Sequence, residues 1–126
     1  MYAIEVTGEF VATHQLRLAD GSVEPRHSHN WRVRVRVRSP RLDKLETVLD
    51  FHVLEAALAD IIEPWQNRNL NDIPPFDQRV NPSAERVAQR IAALLAPRIV
   101  PPARIALVQV TEAPGCRAIY FPENSW

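Results

Sequence analysis

The sequence has no excess of positive or negative charge, no second cysteine and no long apolar run. Its 126 residues carry 15 basic and 15 acidic side chains, whereas a dedicated nucleic-acid-binding domain is normally basic overall. Cys116 is the only cysteine, so no internal disulfide can form, which is typical of a cytoplasmic protein. No stretch approaches the roughly 20 apolar residues of a membrane span, and the first ten residues lack the basic and apolar regions of a signal peptide. These absences favour a cytoplasmic protein whose partner is neither a membrane nor a nucleic acid.

The length and composition fit one folded domain. A chain of 126 residues lies within the usual size of a single domain, and we find no repeat and no low-complexity stretch. A single domain is therefore predicted over residues 1–126. The 11 prolines fall mostly between the elements predicted below, so they indicate breaks between elements rather than a linker.

Two stretches alternate between apolar and polar side chains with the period of a half-buried β-strand. In residues 2–14, one parity carries Tyr2, Ile4, Val6, Phe10, Ala12 and His14, and the other carries Glu5, Thr7 and Glu9. In residues 27–38, the apolar parity carries His27, His29, Trp31, Val33, Val35 and Val37. The turn signal Asp20-Gly21-Ser22 lies between the two stretches, so they are predicted to form a long hairpin.

Two helices and two more strands follow. Asp50 is a good N-cap for a helix over about 51–62, and the apolar stripe of this helix is Phe51, Leu54, Leu58, Ile61 and Ile62. Residues 64–80, rich in Pro, Asn and Asp, are predicted to be a loop. Asn81 or Ser83 caps a second helix over about 83–96, and strands are predicted over 104–112 and 117–121, around a turn at 113–115. The order ββααββ predicts an α+β fold with an antiparallel sheet.

Three of the four histidines fall on the buried parity of the predicted hairpin. His27 and His29 leave the same face of one strand, and His14 ends the apolar face of the other, so the hairpin would bring all three to one end of the sheet. A lone buried histidine is usually a core residue, but three together are hard to explain by packing. Three imidazoles with an open fourth position are typical of catalytic zinc, although iron, nickel or copper would also fit. We therefore predict a zinc site at these histidines, and interpret His52, which has no partner in the sequence, as a structural residue.

The opposite parity of the second strand carries Arg32, Arg34, Arg36 and Arg38, here called the arginine row. One interpretation is a phosphate or nucleic-acid surface. The other is a solvated sheet face whose arginines pair with Glu5 and Glu9 across the hairpin. The neutral chain, and the absence of aromatic side chains between the arginines, favour the second interpretation.

Six short segments together resemble the 6-pyruvoyltetrahydropterin synthase and 6-carboxytetrahydropterin synthase family along nearly the whole chain. They are Phe10-Val-Ala-Thr-His14, His27-Ser-His29-Asn30, Asp50-Phe51, Leu70-Asn71-Asp72-Ile73-Pro74, Asn81-Pro82-Ser83-Ala84-Glu85, and Glu112 with Tyr120 eight residues later. Each segment alone is weak evidence, but six in the family's order are specific. The resemblance implies a T-fold subunit, which is a four-stranded antiparallel sheet with two helices on one face. It also implies assembly into a homo-oligomer, a trimer or a hexamer.

The resemblance assigns roles to several residues. The family's zinc histidines correspond to His14, His27 and His29, and its pterin-anchoring glutamate corresponds to Glu112. A carboxylate can accept two charge-assisted hydrogen bonds from the pterin ring N–H and amino group. Ser83 and Glu85 stand where the family has a Thr and a Glu near the pterin, although helix capping alone would explain them.

The chain departs from the family's pattern at the catalytic residues. The family uses a Cys shortly before the histidine pair and an Asp and a His before Leu-Asn. Here no Cys lies between residues 14 and 29, and the Asp and His positions correspond to Gln66 and Asn67, whose amides cannot relay a proton. Cys116, in the predicted closing turn, does not match the nucleophile position.

Glu24 offers a replacement for the missing cysteine. The segment Glu24-Pro-Arg-His27-Ser-His29 resembles a branch of the family that carries Glu instead of Cys. That branch cleaves the side chain of dihydroneopterin triphosphate to 6-hydroxymethyldihydropterin, a step toward folate, and other members of the family serve queuosine synthesis. The resemblance thus implies a zinc-dependent lyase with Glu24 as the proton-transfer residue. The alternative is a pterin-binding or structural family member without turnover, and nucleic-acid binding by the arginine row is a third, weaker hypothesis.

Overall fold

A computed structural model of the chain describes residues 1–123, so the last three residues of the predicted domain lie outside the described part. The strands are β1 (Tyr2–His14), β2 (His27–Ser39), β3 (Arg68–Asn69), β4 (Arg104–Ala113) and β5 (Cys116–Tyr120). The helices are α1 (Phe51–Ile62) and α2 (Ala84–Leu95), and three 3₁₀ turns cover Glu63–Trp65, Leu70–Asp72 and Ala96–Arg98. The strands form one sheet in the order β3-β1-β2-β4-β5. The four long strands are antiparallel to their neighbours, as predicted.

The fifth strand, β3, is a correction to the prediction. Residues 64–80 were expected to form a loop, but Arg68 and Asn69 pair in parallel with Ala12 and Thr13 of β1, so the sheet is mixed. The preceding backbone already contacts β1, since the N–H of Asn67 donates to the carbonyl of Val11 at 2.6 Å. A two-residue strand has no periodicity of its own, so the sequence pattern gave no sign of it.

The hairpin of β1 and β2 has the predicted parity. The strands pair without interruption from Tyr2 opposite Ser39 to His14 opposite His27. Trp31 and the three valines that follow it on the same parity are at most 1% exposed. This face carries the helices, with α1 packed on β1 and α2 packed on β4 and β5. The register therefore decides which side chains meet under the helix layer and at each end of the sheet.

The helix caps agree with the sequence, but one predicted core residue is wrong. The side chain of Asp50 accepts a hydrogen bond from the N–H of His52, and Ser83, rather than Asn81, accepts one from Arg86 and caps α2. Phe51 is 52% exposed, whereas Ala57 is buried. As the first residue of α1, Phe51 lies at the rim of a surface groove instead of under the helix.

Close packing joins α1 to the sheet at Gly8. A methyl group at this position would lie 2.9 Å from Cδ1 of Ile62 and 3.1 Å from Cδ2 of Leu58, so an alanine here would force these side chains of α1 to shift. Beyond it, the rings of Phe10 and Trp31, which are register partners, stack with centroids 5.9 Å apart. This aromatic layer leads directly to the histidine end of the hairpin. Within residues 1–123, no helix is long and apolar enough to cross a membrane.

Candidate metal centre

The three predicted histidines meet at one end of the sheet. His14 is the last residue of β1, and it lies opposite His27, the first residue of β2. One ring nitrogen from each of His14, His27 and His29 lies within 4.8 Å of the others. Tetrahedral zinc with Zn–N distances of about 2.0–2.1 Å would draw such nitrogens to about 3.4 Å from one another, a closure that side-chain torsions can supply. The hairpin register therefore assembles a group that could hold a metal ion.

A backbone carbonyl fixes the tautomer of His14. Nδ1 of this buried histidine lies 2.8 Å from the carbonyl oxygen of Pro82, and since a carbonyl can only accept, Nδ1 must carry the proton. Nε2 faces the other histidines, and in the neutral ring this nitrogen carries a lone pair that can bind a metal ion. The edge of the ring packs against Trp31, with centroids 4.8 Å apart. Metal-binding histidines commonly have their second nitrogen held in this way.

Glu112 closes the group from β4. Its Oε1 lies 2.6 Å from Nε2 of His14 and 3.4 Å from Nε2 of His29, yet both nitrogens are buried and have no hydrogen-bond partner within residues 1–123. Oε1 of Glu112 thus lies next to the ring nitrogen of His14 that does not face Pro82. A cation held by both atoms, either a metal ion or a second ring proton, would satisfy the nitrogen and the carboxylate. The donor set fits a metal ion.

Burial favours the neutral form of His29, which is the form that can bind a metal ion. Removal of its ring from water lowers the pKa of His29 below 6.5, the carboxylate of Glu112 opposes this effect, and His14 and His27 add to it. A lower pKa keeps the imidazole neutral at neutral pH, and the neutral imidazole is the form that binds metal.

Glu24 lies beside the histidine group. Its Oε1 is 3.3 Å from Nε2 of His27, and its side chain is 25% exposed. The same oxygen accepts a hydrogen bond of 3.0 Å from the N–H of Leu16, and the N–H of Glu24 donates to the carbonyl of Leu16, also at 3.0 Å. The loop between β1 and β2 therefore folds back so that this carboxylate is held near the candidate metal ligands.

Two asparagines fix the segment that holds Glu24. The side chain of Asn71 accepts from the N–H of Gln15 at 2.9 Å and donates to the carbonyl of Gln15 at 2.8 Å. Asn81 makes the same pair of bonds with Arg17, at 2.8 and 3.0 Å. These amides imitate a neighbouring strand on both sides of Leu16. Asn71 was predicted only as part of a family motif, and Asn81 also as a possible cap of the second helix, so the hydrogen bonds of both to the backbone of the loop were not predicted.

The other predicted site residues are less directly placed. Ser83 follows Pro82, the residue that holds His14, but its hydroxyl caps α2. Glu85 is exposed in the first turn of α2, and the described residues offer it no hydrogen bond or ion pair. Among residues 1–123, neither residue forms a hydrogen bond or an ion pair with the histidines, so their binding role stays a prediction.

Gln66 and Asn67, which the resemblance assigned to the family's Asp and His positions, contact the backbone of β1. Oε1 of Gln66 accepts a hydrogen bond of 2.8 Å from the N–H of Val11. Asn67 has a positive φ of 60°, a conformation that asparagine tolerates better than most residues. Both residues attach the segment before β3 to Val11, near the end of β1. His52, which was interpreted as structural, is 92% exposed and lies 3.6 Å from Glu55.

Three residues of the arginine row contact acidic side chains of β1. Arg34 and Arg36 contact Glu5 at 3.5 and 2.6 Å, and Arg32 contacts Glu9 at 3.3 Å. The predicted pairing with Glu5 and Glu9 is confirmed for these three arginines.

A depression of about 310 Å³ opens next to the histidine group, between the start of β2 and the end of β4. His29 and Glu112 both line it. Its size is at the lower end of typical small-molecule sites, about 300–1,000 Å³. A ligand in this depression would contact His29 and Glu112 together.

The fold and the histidine group define a T-fold subunit with a candidate metal centre, and comparisons with known proteins agree. Residues 3–123 match the family model of 6-pyruvoyl tetrahydropterin synthase. The structure is similar to 6-pyruvoyl tetrahydropterin synthase from Caenorhabditis elegans, with a TM-score of 0.84 and 20% identity over 97% of this chain and 96% of that one. It is also similar to the Plasmodium vivax enzyme, with a TM-score of 0.72 and 18% identity over 97% and 99% of the two chains. The search of curated proteins finds no match.

The protein therefore belongs to the 6-pyruvoyl tetrahydropterin synthase family. The predicted α+β T-fold is confirmed, with the short β3 added to the sheet. Two further solved structures are of the P. vivax enzyme with a glutamate, described as a catalytic residue, replaced by alanine or by cysteine.

Proposed function

We propose that this protein is a zinc-dependent lyase acting on the side chain of dihydroneopterin triphosphate or a related pterin. The observation that carries the proposal is the three-histidine group, with His14 oriented by Pro82, in a chain of this family. Bound zinc would act as a Lewis acid that polarises oxygen atoms of the pterin side chain. We further propose that the protein works in the cytoplasm as a homo-oligomer, a trimer or a hexamer.

Glu24 is proposed to move the proton. Its Oε1 is held by Leu16 and lies 3.3 Å from His27, while Oε2 has no hydrogen bond among the described residues. The free oxygen is placed to take a proton from a substrate bound at the histidines. The catalytic glutamate of the P. vivax enzyme supports this role, since it shows that a glutamate serves catalysis in a structurally similar protein.

Glu112 is proposed to anchor the pterin ring. A carboxylate accepts two parallel hydrogen bonds from the ring N–H and the amino group, and Glu112 lines the depression beside His29. Ser83 and Glu85 are proposed to lie at the edge of the bound pterin, because Ser83 follows the residue that holds His14. Glu112 would then link recognition of the ring to placement of the side chain at the histidines.

A second candidate function is pterin binding without turnover. It is favoured by Gln66 and Asn67, which cannot titrate and which are already occupied with Val11. This function needs the histidines and Glu112 but leaves Glu24 without a chemical role.

Mass spectrometry of the products separates the two functions. Zinc-loaded protein is incubated with dihydroneopterin triphosphate, beside a Glu24→Gln variant that has the same zinc content. A new pterin product that disappears in Glu24→Gln is expected for the lyase. Unchanged substrate that nevertheless binds, with binding lost in Glu112→Ala, would indicate the binding function. Absence of both product and binding would refute both functions.

The metal is tested separately by elemental analysis of purified protein. One zinc ion per chain is expected, with loss in His14→Ala and His29→Ala. The matched control is His52→Ala, because His52 is exposed and lies outside the group. Equal zinc content in all four proteins would show that the histidines do not hold it.

A further inference from the structure

The loop between β1 and β2 contains a charged side chain that neither the candidate metal centre nor the proposed reaction uses. Nη2 of Arg17 donates to the carbonyl of Phe76 at 2.6 Å, and Nη1 donates to the carbonyl of Val80 at 3.2 Å. The side chain is half-buried. Its guanidinium group therefore bridges two backbone carbonyls that lie four residues apart in the segment before α2.

The segment that accepts these hydrogen bonds is fixed both to the core and to the histidine group. The side chain of Phe76 is fully buried. Two residues after Val80, the carbonyl of Pro82 lies 2.8 Å from Nδ1 of His14. One short segment thus contacts both Arg17 and a candidate metal ligand.

On its other side, Arg17 adjoins the part of the loop that carries Glu24. Arg17 forms an isolated antiparallel bridge with Val23. Next to this bridge, the N–H of Glu24 donates to the carbonyl of Leu16, and the N–H of Leu16 donates to Oε1 of Glu24, both at 3.0 Å. Residues 16–24 therefore form a small hairpin, and a displacement of Arg17 would also displace Glu24.

We propose that Arg17 is a positioning residue that fixes Glu24 relative to His14. This inference rests on the lyase proposed above, in which Glu24 moves a proton of a ligand bound at the histidines. A proton-transfer group must lie within hydrogen-bonding reach of the reacting atom, and a displacement of about 1 Å can cost about a hundredfold in rate. Arginine suits this role because its planar group donates from several nitrogens in a fixed arrangement, whereas lysine donates from one.

Amide hydrogen exchange followed by NMR tests the positioning without requiring turnover. In Arg17→Gln, the N–H groups of Leu16 and Glu24 should exchange at least about tenfold faster than in the wild-type protein, because two hydrogen bonds from a charged donor are lost. Arg17→Lys should restore only part of the protection. The matched control is Arg79→Gln, which removes an exposed positive charge from the same segment and should leave the exchange unchanged.

Kinetics at a temperature where every variant is folded separate positioning from a loss of stability. Arg17→Gln should lower kcat at least about tenfold while KM and zinc content stay nearly unchanged, because the histidines and Glu112 are intact. Added to Glu24→Gln, the same substitution should cost little further activity, since both changes act on one group. A wild-type kcat in Arg17→Gln, or an equal loss of kcat in Arg79→Gln, would overturn the proposal.

The two assays distinguish a failure of this inference from a failure of the lyase. Absence of product from the wild-type protein would refute the lyase. Unchanged exchange at Leu16 and Glu24 in Arg17→Gln would overturn the positioning by Arg17 whether or not product forms, and faster exchange there would support it in either case.

Discussion

Asn71 and Asn81 hold the loop that carries Glu24, and replacing either with alanine tests how firmly. Each variant removes two hydrogen bonds to the backbone, from Gln15 in one case and from Arg17 in the other, with lengths of 2.8–3.0 Å. A net contribution of about 1 kcal/mol per bond predicts a loss of about 2 kcal/mol in each variant. For a domain of this size, that corresponds to a decrease in Tm of roughly 6–10 °C.

Urea denaturation of the metal-free protein measures this loss, with Gln78→Ala as the matched control. Gln78 is an exposed amide in the same segment, and its side chain has no hydrogen bond among residues 1–123. If Asn71 acts on catalysis through Glu24, the activity losses of Asn71→Ala and Glu24→Gln should be less than additive in the double variant. A stability change below about 0.5 kcal/mol in both alanine variants, the size of an ordinary surface substitution, would show that water replaces the asparagines and would refute the reasoning.

Two further predictions follow from the packing and from the pKa of His29. Gly8→Ala should lower the free energy of unfolding by about 1–3 kcal/mol, because its methyl group would meet Ile62 at 2.9 Å. Urea denaturation should show that adding Ile62→Val restores part of this stability. No restoration in the double variant would contradict this contact. Because burial lowers the pKa of His29 below 6.5, the unfolded chain binds its proton more readily. The stability of the metal-free protein should be complete above pH 6.5 and should fall as the pH falls below it. Urea titrations at several pH values should give a smaller pH slope for His29→Gln than for His52→Gln, and equal slopes would contradict the assignment to His29.

The hairpin and its histidines were predictable because their signal is local. Alternation with period two fixes the face to which each side chain points, so His27 and His29 had to share a face with the valines. The only long-range contact that had to be inferred was the pairing of β1 with β2. The turn predicted at 20–22 made this inference simple, because it lies between two strands that are close in the sequence. The same reasoning placed Glu5 and Glu9 beside the arginine row.

The surroundings of the histidines were not predictable in the same way. Pro82 lies 68 residues after His14, and the contact depends on where α2 begins relative to the end of β1. The hydrogen bonds of Asn71 and Asn81 to the loop after β1 likewise join segments more than 50 residues apart. Contacts of this kind leave no periodic pattern, since a single amide or carbonyl makes each of them. The exposure of Phe51 has a similar origin, because a helical period cannot tell where the helix projects beyond the sheet.

The register of one hairpin separates two chemistries along β2. At its first residues, the inward parity brings His27 and His29 to His14, where Glu112 supplies a carboxylate. Along its middle, the outward arginines meet glutamates of β1. At its end, β1 offers Ala3 opposite Arg38 instead of a third glutamate. A shift of one residue in the pairing would turn the histidines to the outer face, so the register that brings the arginines to the glutamates also builds the candidate metal centre.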